Sequence, residues 1–191
     1  MIKPQEFERR RFAKVKFIID LIFILLLLAL VAYVNEADAN TGDVERVGAY
    51  VSKFLKNVPQ RRARALELIP IVVSESRAKD FDPLLIAVLI SLESSWKTDA
   101  TGGIGEIGLM QVLPGGVCAK GQDLTTAHGQ IKAGVNCLKL SRDACGDDLT
   151  RILTMYASGK CVSKSNRTKR LVEKRIRIYR RSKANGKKEN Q

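Results

Sequence analysis

The feature that most constrains the fold is the stretch from Leu84 to Trp96, LLIAVLISLESSW, in which nearly every side chain is apolar. A helix that is apolar on all sides has no face suited to water, so other parts of the chain must surround it. Asp82 is a good helix cap, and Pro83 suits the first helical position, where no backbone donor is needed. We therefore predict a buried central helix, within one domain plus appendages for 191 residues.

Apolar residues at three- and four-residue spacing predict further helices around this one. One is an amphipathic helix that Pro59 should end. A second stretch, residues 61–77, contains Pro70, which should kink or divide it. Two more helices are expected at about residues 124–140 and 148–156. No segment alternates with period two for long enough to predict a strand, so the predicted fold class is mainly α.

Residues 17–34 form another apolar block, in which Asp20 is the only charged residue. Its length is at the lower edge of the roughly 17–25 residues with which a helix crosses a bilayer. The preceding residues 1–16 are rich in Lys and Arg, which the positive-inside preference keeps in the cytoplasm. We expect an inner-membrane signal anchor at residues 17–34, with the C-terminal domain in the periplasm.

A cleaved signal peptide is the alternative interpretation of this block. The small-x-small sequence Ala37-Asp38-Ala39 would let signal peptidase cut after Ala39. Residues 35–42 are polar and contain glycine, which is typical of a short linker. In both cases the domain is exported. The predicted organisation is a linker and amphipathic helix at residues 35–60, the domain at residues 61–162, and a basic tail at residues 163–191.

The four cysteines all lie in the part predicted to be exported, where disulfides can form. There is no CxxC pair and His128 is the only histidine, so the usual spacing of zinc ligands is absent and no metal site is predicted. Four cysteines allow three pairings, among which the sequence does not choose. Our working hypothesis pairs neighbours along the chain, Cys118 with Cys137 and Cys145 with Cys161.

The basic tail carries most of the formal net charge of +13. Leu171, Ile176 and Tyr179 predict a helix with a thin apolar stripe, followed by disorder at residues 182–191. A solvated surface helix would explain this composition. The functional alternative is attraction to polyanions such as anionic cell wall or anionic lipid. Nucleic acid is not an expected partner, because the domain is exported and aromatic residues are scarce in the tail.

Glu93 stands out among the carboxylates because it comes at the end of the apolar central helix, where burying a charge is costly. A carboxyl group in such a place tends to keep its proton. The raised pKa would suit a general acid that protonates a glycosidic oxygen at neutral pH. The alternative is an ordinary carboxylate on the exposed edge of the helix.

Three motifs follow one another along the chain: Glu93-Ser94-Ser95-Trp96, residues 105–112 (GEIGLMQV) and residues 155–159 (MYASG). In this order and spacing they resemble the motifs of the lytic transglycosylase family with the lysozyme-like SLT domain. The resemblance covers roughly residues 62–160 and implies a lysozyme-like fold without a cofactor. It also implies a catalytic Glu93 and a set of substrate-binding residues, namely Ser94, Gly108, Leu109, Met110, Gln111 and Tyr156.

The resemblance implies cleavage of peptidoglycan by one carboxylate. Glu93 would protonate the oxygen between N-acetylmuramic acid and N-acetylglucosamine, while the substrate's acetamido group stabilises the positive charge. Glu93 would then take the proton of the muramic C6 hydroxyl, which gives a 1,6-anhydro product without water. Gly108 would let the backbone approach the sugar, Met110 and Gln111 would line the cleft, and Tyr156 would hydrogen-bond near Glu93.

Two features keep alternatives open. Ordinary glycosidases use two carboxylates. Glu106 is the better candidate for the second carboxylate, and Asp99 is the weaker one. A catalytic Glu106 would make the protein a goose-type lysozyme. The family's usual Tyr-Asn pair is Tyr156-Ala157 here, so the amide is missing and Ser158 is the residue that could replace it. The other hypothesis is therefore a non-catalytic wall-binding subunit. The small size fits a tool carried by a phage, secretion or conjugation assembly.

Overall fold

The computed structural model describes the backbone of residues 4–188 and the side chains of residues 21–31 and 40–186. The chain divides into two units, with the boundary between Gly42 and Asp43. Helix α1 spans Pro4–Phe54, so its residues belong to both units.

In the first unit, all the described apolar side chains from Leu21 to Val31 are exposed. Among the residues that the structure describes, no helix is long and apolar enough to cross a membrane. The side chains of residues 17–20 and 32–34, which complete the predicted apolar block, lie outside the described residues. Residues 35–42 are part of α1, so the predicted linker is wrong. Alanine and glutamate favour helices, and one glycine costs a helix only about 1 kcal/mol.

The second unit is built from the end of α1 and six further helices. The β pairing in the described chain is limited to isolated bridges that pair Ile107 with Thr101 and with Val112. The predicted mainly α fold is therefore confirmed. The helices are α2 (Pro59–Glu67), α3 (Ile69–Arg77), α4 (Pro83–Glu93), α5 (Ala127–Cys145), α6 (Leu149–Ser158) and α7 (Asn166–Lys188).

Helix α4 is the central helix that the sequence predicts. Every residue from Pro83 to Ser91 is buried, and the helix contacts α3 and α7. Asp82 caps it by accepting a hydrogen bond of 3.0 Å from the Leu84 N–H. The division at Pro70 is also confirmed, since α2 and α3 are separate helices. Pro59, in contrast, begins α2, because α1 has already ended at Phe54.

The C-terminal tail differs most from its prediction. Helix α7 continues to Lys188, so predicted disorder is wrong for residues 182–188, whereas residues 189–191 lie outside the described residues. The helix packs against α4 and α6 and buries Val172 and Ile176, while Leu171 is exposed. A side-chain stripe that faces the core makes α7 part of the domain. The predicted limits of 61–162 were therefore too narrow at the C-terminal end.

Both predicted disulfides are confirmed. Cys118 pairs with Cys137, which ties a short 3₁₀ turn at Val117–Ala119 to α5. Cys145 pairs with Cys161, which ties the end of α5 to the segment after α6. Cross-links of this kind limit the unfolded chain and stabilise the folded one.

Candidate active site

Glu93 is the last residue of α4, and the chain turns sharply after it. Ser95 and Trp96 have φ angles of +52° and +65°, a region that side-chain-bearing residues seldom adopt. The turn brings the Trp96 indole into the core, where its Nε1 donates to Ser91 Oγ at 2.8 Å. Backbone strain of this kind is commonly found at functional sites.

The residues of the second motif form a tight turn beside this helix end. Gly108 has a φ of +76°, and the side chain of Gln130 occupies the space where a Cβ atom would lie. Gln130 Oε1 accepts from the Leu109 N–H at 2.9 Å, and its Nε2 donates to the Thr98 carbonyl at 2.9 Å. The structure thus explains Gly108 by close packing within the protein, and the approach of a sugar to this backbone stays a prediction. Gln130 was not identified from the sequence.

Three predicted substrate-binding residues face inward instead. Leu109 and Met110 have no exposed surface, so the prediction that Met110 lines a cleft is wrong. Ser94 is also buried, and its Oγ lies 2.9 Å from the Leu109 carbonyl oxygen. These side chains hold the turn against α4 and α5, because apolar groups gain more from the core than from a wet cleft.

Gln111 and Tyr156 are more exposed than these three residues but are held by the same turn. Gln111 Nε2 donates to the Gly108 carbonyl at 2.9 Å. The Tyr156 hydroxyl donates to the Met110 carbonyl at 2.6 Å. Ser158, which could have replaced the missing amide, donates to the Thr154 carbonyl of its own helix at 2.8 Å.

Arg175 of α7 contacts Glu93 directly and was not identified from the sequence. Its guanidinium Nη2 forms an ion pair with Glu93 Oε1, and the side chain of Arg175 is 4% exposed. The guanidinium also lies over the Tyr156 ring, with 5.8 Å from Cζ to the ring centroid. The sequence contains an indication of this contact, because Arg175 shares a helix face with Val172 and Ile176. An arginine on a buried face needs a partner.

Burial is the main influence on Glu93, whose side chain is 15% exposed, and it raises the pKa of the carboxyl group. Arg175 opposes this effect by its charge and its hydrogen bond, and the charge of Glu106 adds to it. Together these influences raise the pKa of Glu93, as predicted for a general acid. Burial and the charge of Glu93 also raise the pKa of Tyr156, which keeps the phenol protonated.

The charge of Glu106 acts on Glu93, and the Glu106 carboxylate also accepts a hydrogen bond within its own loop. Its Oε2 accepts from the Ile104 N–H at 3.0 Å, within the loop that precedes Gly108. The site therefore brings together a shielded carboxyl, a buried guanidinium, a protonated phenol and a second carboxylate. Such a set can donate a proton and take it back at one atom, which is acid–base chemistry.

Comparisons with known proteins agree with this geometry. A family model described as a transglycosylase SLT domain matches residues 71–178, a range that includes both Glu93 and Arg175. A protein called "Transglycosylase" from Enterobacteria phage PRD1 is 32% identical over 95 residues. The alignment covers 48% of this chain and 35% of that protein, so the similar region spans about a third of the relative's length.

Proposed function

Because the chain belongs to the family of transglycosylase SLT domains, we propose that it is a peptidoglycan lytic transglycosylase with Glu93 as its acid and base. The observation that carries this proposal is the Glu93 carboxyl group, shielded at the end of a buried helix and with a raised pKa. Such a carboxyl group keeps its proton to a higher pH than an exposed glutamate does and can give that proton to a leaving oxygen.

The reaction has two proton transfers at one carboxyl group. Arg175 occupies Oε1, and no described residue hydrogen-bonds Oε2, which is therefore the oxygen available to substrate. Its proton goes to the glycosidic oxygen between N-acetylmuramic acid and N-acetylglucosamine while the bond from C1 to that oxygen breaks. The muramic acetamido oxygen stabilises the positive charge at C1. Oε2 then takes the C6 hydroxyl proton as O6 bonds to C1.

These two steps balance without water and regenerate the protonated Glu93. One product ends in 1,6-anhydro-N-acetylmuramic acid and the other begins with a free N-acetylglucosamine 4-hydroxyl. Gln111 and Tyr156 are partly exposed, whereas Leu109 and Met110 are buried, and we assign the two partly exposed residues to the sugar-facing wall. The hydrogen bond from Tyr156 to Met110 would hold that wall in place.

We further propose that the enzyme is exported and opens the cell wall locally for a phage, secretion or conjugation assembly. Two disulfides support an oxidising compartment. The basic residues ahead of the apolar block support an anchor at residues 17–34 or a signal peptide cleaved after Ala39. The phage origin of the similar transglycosylase supports the first kind of assembly.

Mass spectrometry of muropeptides released from purified peptidoglycan tests the activity. We expect the oxidised full-length protein to release fragments that end in 1,6-anhydro-muramic acid. The Glu93→Gln variant, whose amide is too weak an acid to protonate the leaving oxygen, should release at least about 100-fold less. If the folded wild-type protein released no muropeptides at all, the catalytic proposal would be wrong and a wall-binding subunit would be favoured.

A hydrolase of the goose lysozyme type is the second candidate, because the charge of Glu106 acts on Glu93. A second carboxylate can activate water for attack at C1. In that case the released fragments would carry reducing muramic ends, and Glu106→Gln would lose activity as Glu93→Gln does. Anhydro ends together with an active Glu106→Gln variant would exclude the hydrolase.

A further inference from the structure

The C-terminal helix adds a buried cation to the site, and the proposed function does not by itself explain why. We propose that Arg175 is a positioning residue for Glu93: it holds Oε1 by an ion pair so that Oε2 faces the glycan, and it stabilises the carboxylate that exists between the two proton transfers. This inference rests on the proposed function and makes α7 part of the catalytic machinery.

The geometry distinguishes Arg175 from the other cations of the tail. The side chain is almost fully buried, and among the described residues its Nε and Nη1 have no hydrogen-bond partner. Leaving donors of a charged group unpaired in the interior costs stability. A purely structural arginine would be expected to use these donors. The unpaired donors therefore lower stability, while the guanidinium places a positive charge beside Glu93.

The benefit follows from the two roles of Glu93. A group that first gives a proton and then takes one works best when its pKa is near the working pH. Burial alone favours the protonated form, which keeps the proton on the carboxyl group but makes it harder to give to the glycosidic oxygen. Arg175 favours the ionised form, while Glu106 of the loop and the phenol of Tyr156 in α6 are the other titratable groups that act with Glu93. The cation thus balances the burial.

The ring of Tyr156 helps to keep the guanidinium in place. A cation over an aromatic face is attracted by the ring, more strongly when water is excluded. Tyr156 is itself fixed by its hydrogen bond to Met110, and Val172 and Ile176 on either side of Arg175 fix α7 against the core. The orientation of Glu93 is therefore set by three elements: α4, α6 and α7.

The first test measures the pKa of Glu93 without using activity. Full-length protein labelled with carboxyl-¹³C glutamate is titrated by NMR, and the Glu93 signal is assigned from its loss in Glu93→Gln. We expect Arg175→Met to raise the pKa of Glu93 by about one pH unit or more, because an opposite charge has been removed. The matched control is Arg177→Met, since Arg177 lies two residues further on the exposed face of α7.

The second test is the pH profile of muropeptide release. Activity should fall at alkaline pH as Glu93 loses its proton, and in Arg175→Met this fall should move to higher pH with a rate at least about tenfold below wild type. Arg175→Lys keeps the charge, so its activity should fall at the same alkaline pH as that of the wild type, but its rate should stay below the wild-type rate. Arg177→Met should match wild type in both.

The proposal is overturned if Arg175→Met, shown to be folded by circular dichroism, leaves the pKa of Glu93 and the alkaline limb unchanged. If Arg175→Met does not fold, Arg175→Lys decides, because a normal rate with the shorter side chain would exclude positioning by the guanidinium. An inactive wild-type protein would defeat the proposed function alone, since the NMR titration still tests the coupling.

Discussion

The two ends of α4 each carry a carboxylate that is contacted by α7, yet their environments differ. At the start of the helix, Asp82 accepts hydrogen bonds from the Leu84 N–H, Arg46 and Tyr179, and it forms an ion pair with Lys183. At its end, Arg175 is the only residue in the described part of the chain that bonds to the Glu93 carboxyl group. Burial would raise the pKa of Asp82, but the bond from Tyr179 and the charge of Arg46 outweigh it and lower the pKa, whereas the pKa of Glu93 is raised.

The difference separates a structural carboxylate from a reactive one. Every partner of Asp82 stabilises its ionised form, so it holds α1, α4 and α7 together and has no reason to exchange a proton. A cavity of about 510 Å³ lies beside it, but its charged lining residues, such as Asp43, Arg46 and Arg77, are paired with one another. Glu93 has few partners and two competing influences, which is typical of a catalytic acid.

The largest expected effect is on activity. Glu93→Gln should reduce the initial rate of muropeptide release by about 100-fold or more. Asp82→Asn should stay within about threefold of the wild-type rate, because it leaves Glu93 and Arg175 in place. In thermal unfolding with the disulfides intact, Asp82→Asn should instead lower the free energy of unfolding by about 1–2 kcal/mol, because the charged hydrogen bonds of Asp82 are weakened. A folded Asp82→Asn variant as inactive as Glu93→Gln would break the comparison.

This contrast could be predicted only in part from the sequence. Asp82-Pro83 and the apolar run predict α4, its cap and the position of Glu93, because capping and burial depend on neighbouring residues. The partner of Glu93 is 82 residues away, in a helix with many basic residues. Charge composition alone does not tell a buried arginine from a solvated one, so the tail was predicted to be an appendage.

The second motif shows a further limit on what can be predicted from the sequence. Leu109 and Met110 were predicted to bind substrate, and both lie in the core. A motif shared with a family marks residues that the family needs, and it does not separate those that touch substrate from those that support the turn. The hydrogen bonds of Gln130 from α5 make the distinction, and they come from tertiary packing.

The pH dependence of stability is the next test, and the two carboxylates should act with opposite signs. Asp82, with a lowered pKa, contributes stability that is present above its unfolded value of about 3.9 and is lost as pH falls through the folded value. Glu93, with a raised pKa, contributes stability that is present below its unfolded value of about 4.3 and is lost as pH rises through the folded value.

Urea unfolding from pH 2 to pH 8 measures both contributions. Asp82→Asn should flatten the fall in the free energy of unfolding below about pH 4, and Glu93→Gln should remove a decline that begins above about pH 4.3. The slopes of unfolding against urea should be unchanged, so that stability alone is compared. Equal effects of the two variants on the same limb of the profile would contradict the opposite pKa shifts.

The smallest effects are expected from the two tyrosines that serve the two ends of α4. The Tyr179 hydroxyl donates to Asp82 at 2.8 Å, and the Tyr156 hydroxyl donates to the Met110 carbonyl at 2.6 Å. Tyr156→Phe removes one hydrogen bond, and Tyr179→Phe removes two, because the Tyr179 hydroxyl also accepts from Lys183 Nζ at 3.2 Å. Each variant should lose about 1 kcal/mol of stability for each hydrogen bond removed. Thermal unfolding of the oxidised proteins measures both losses.

Activity should then separate these two variants. Tyr179→Phe should keep the wild-type rate of muropeptide release and only raise the pKa of Asp82, because the lost hydrogen bond had favoured the carboxylate. Tyr156→Phe keeps the ring under Arg175 but frees the Met110 carbonyl, so the turn beside Glu93 should loosen and the rate should fall several-fold. A loss of rate in Tyr179→Phe equal to that in Tyr156→Phe would mean that the Asp82 cluster also positions Glu93, through the rigid helix that joins them.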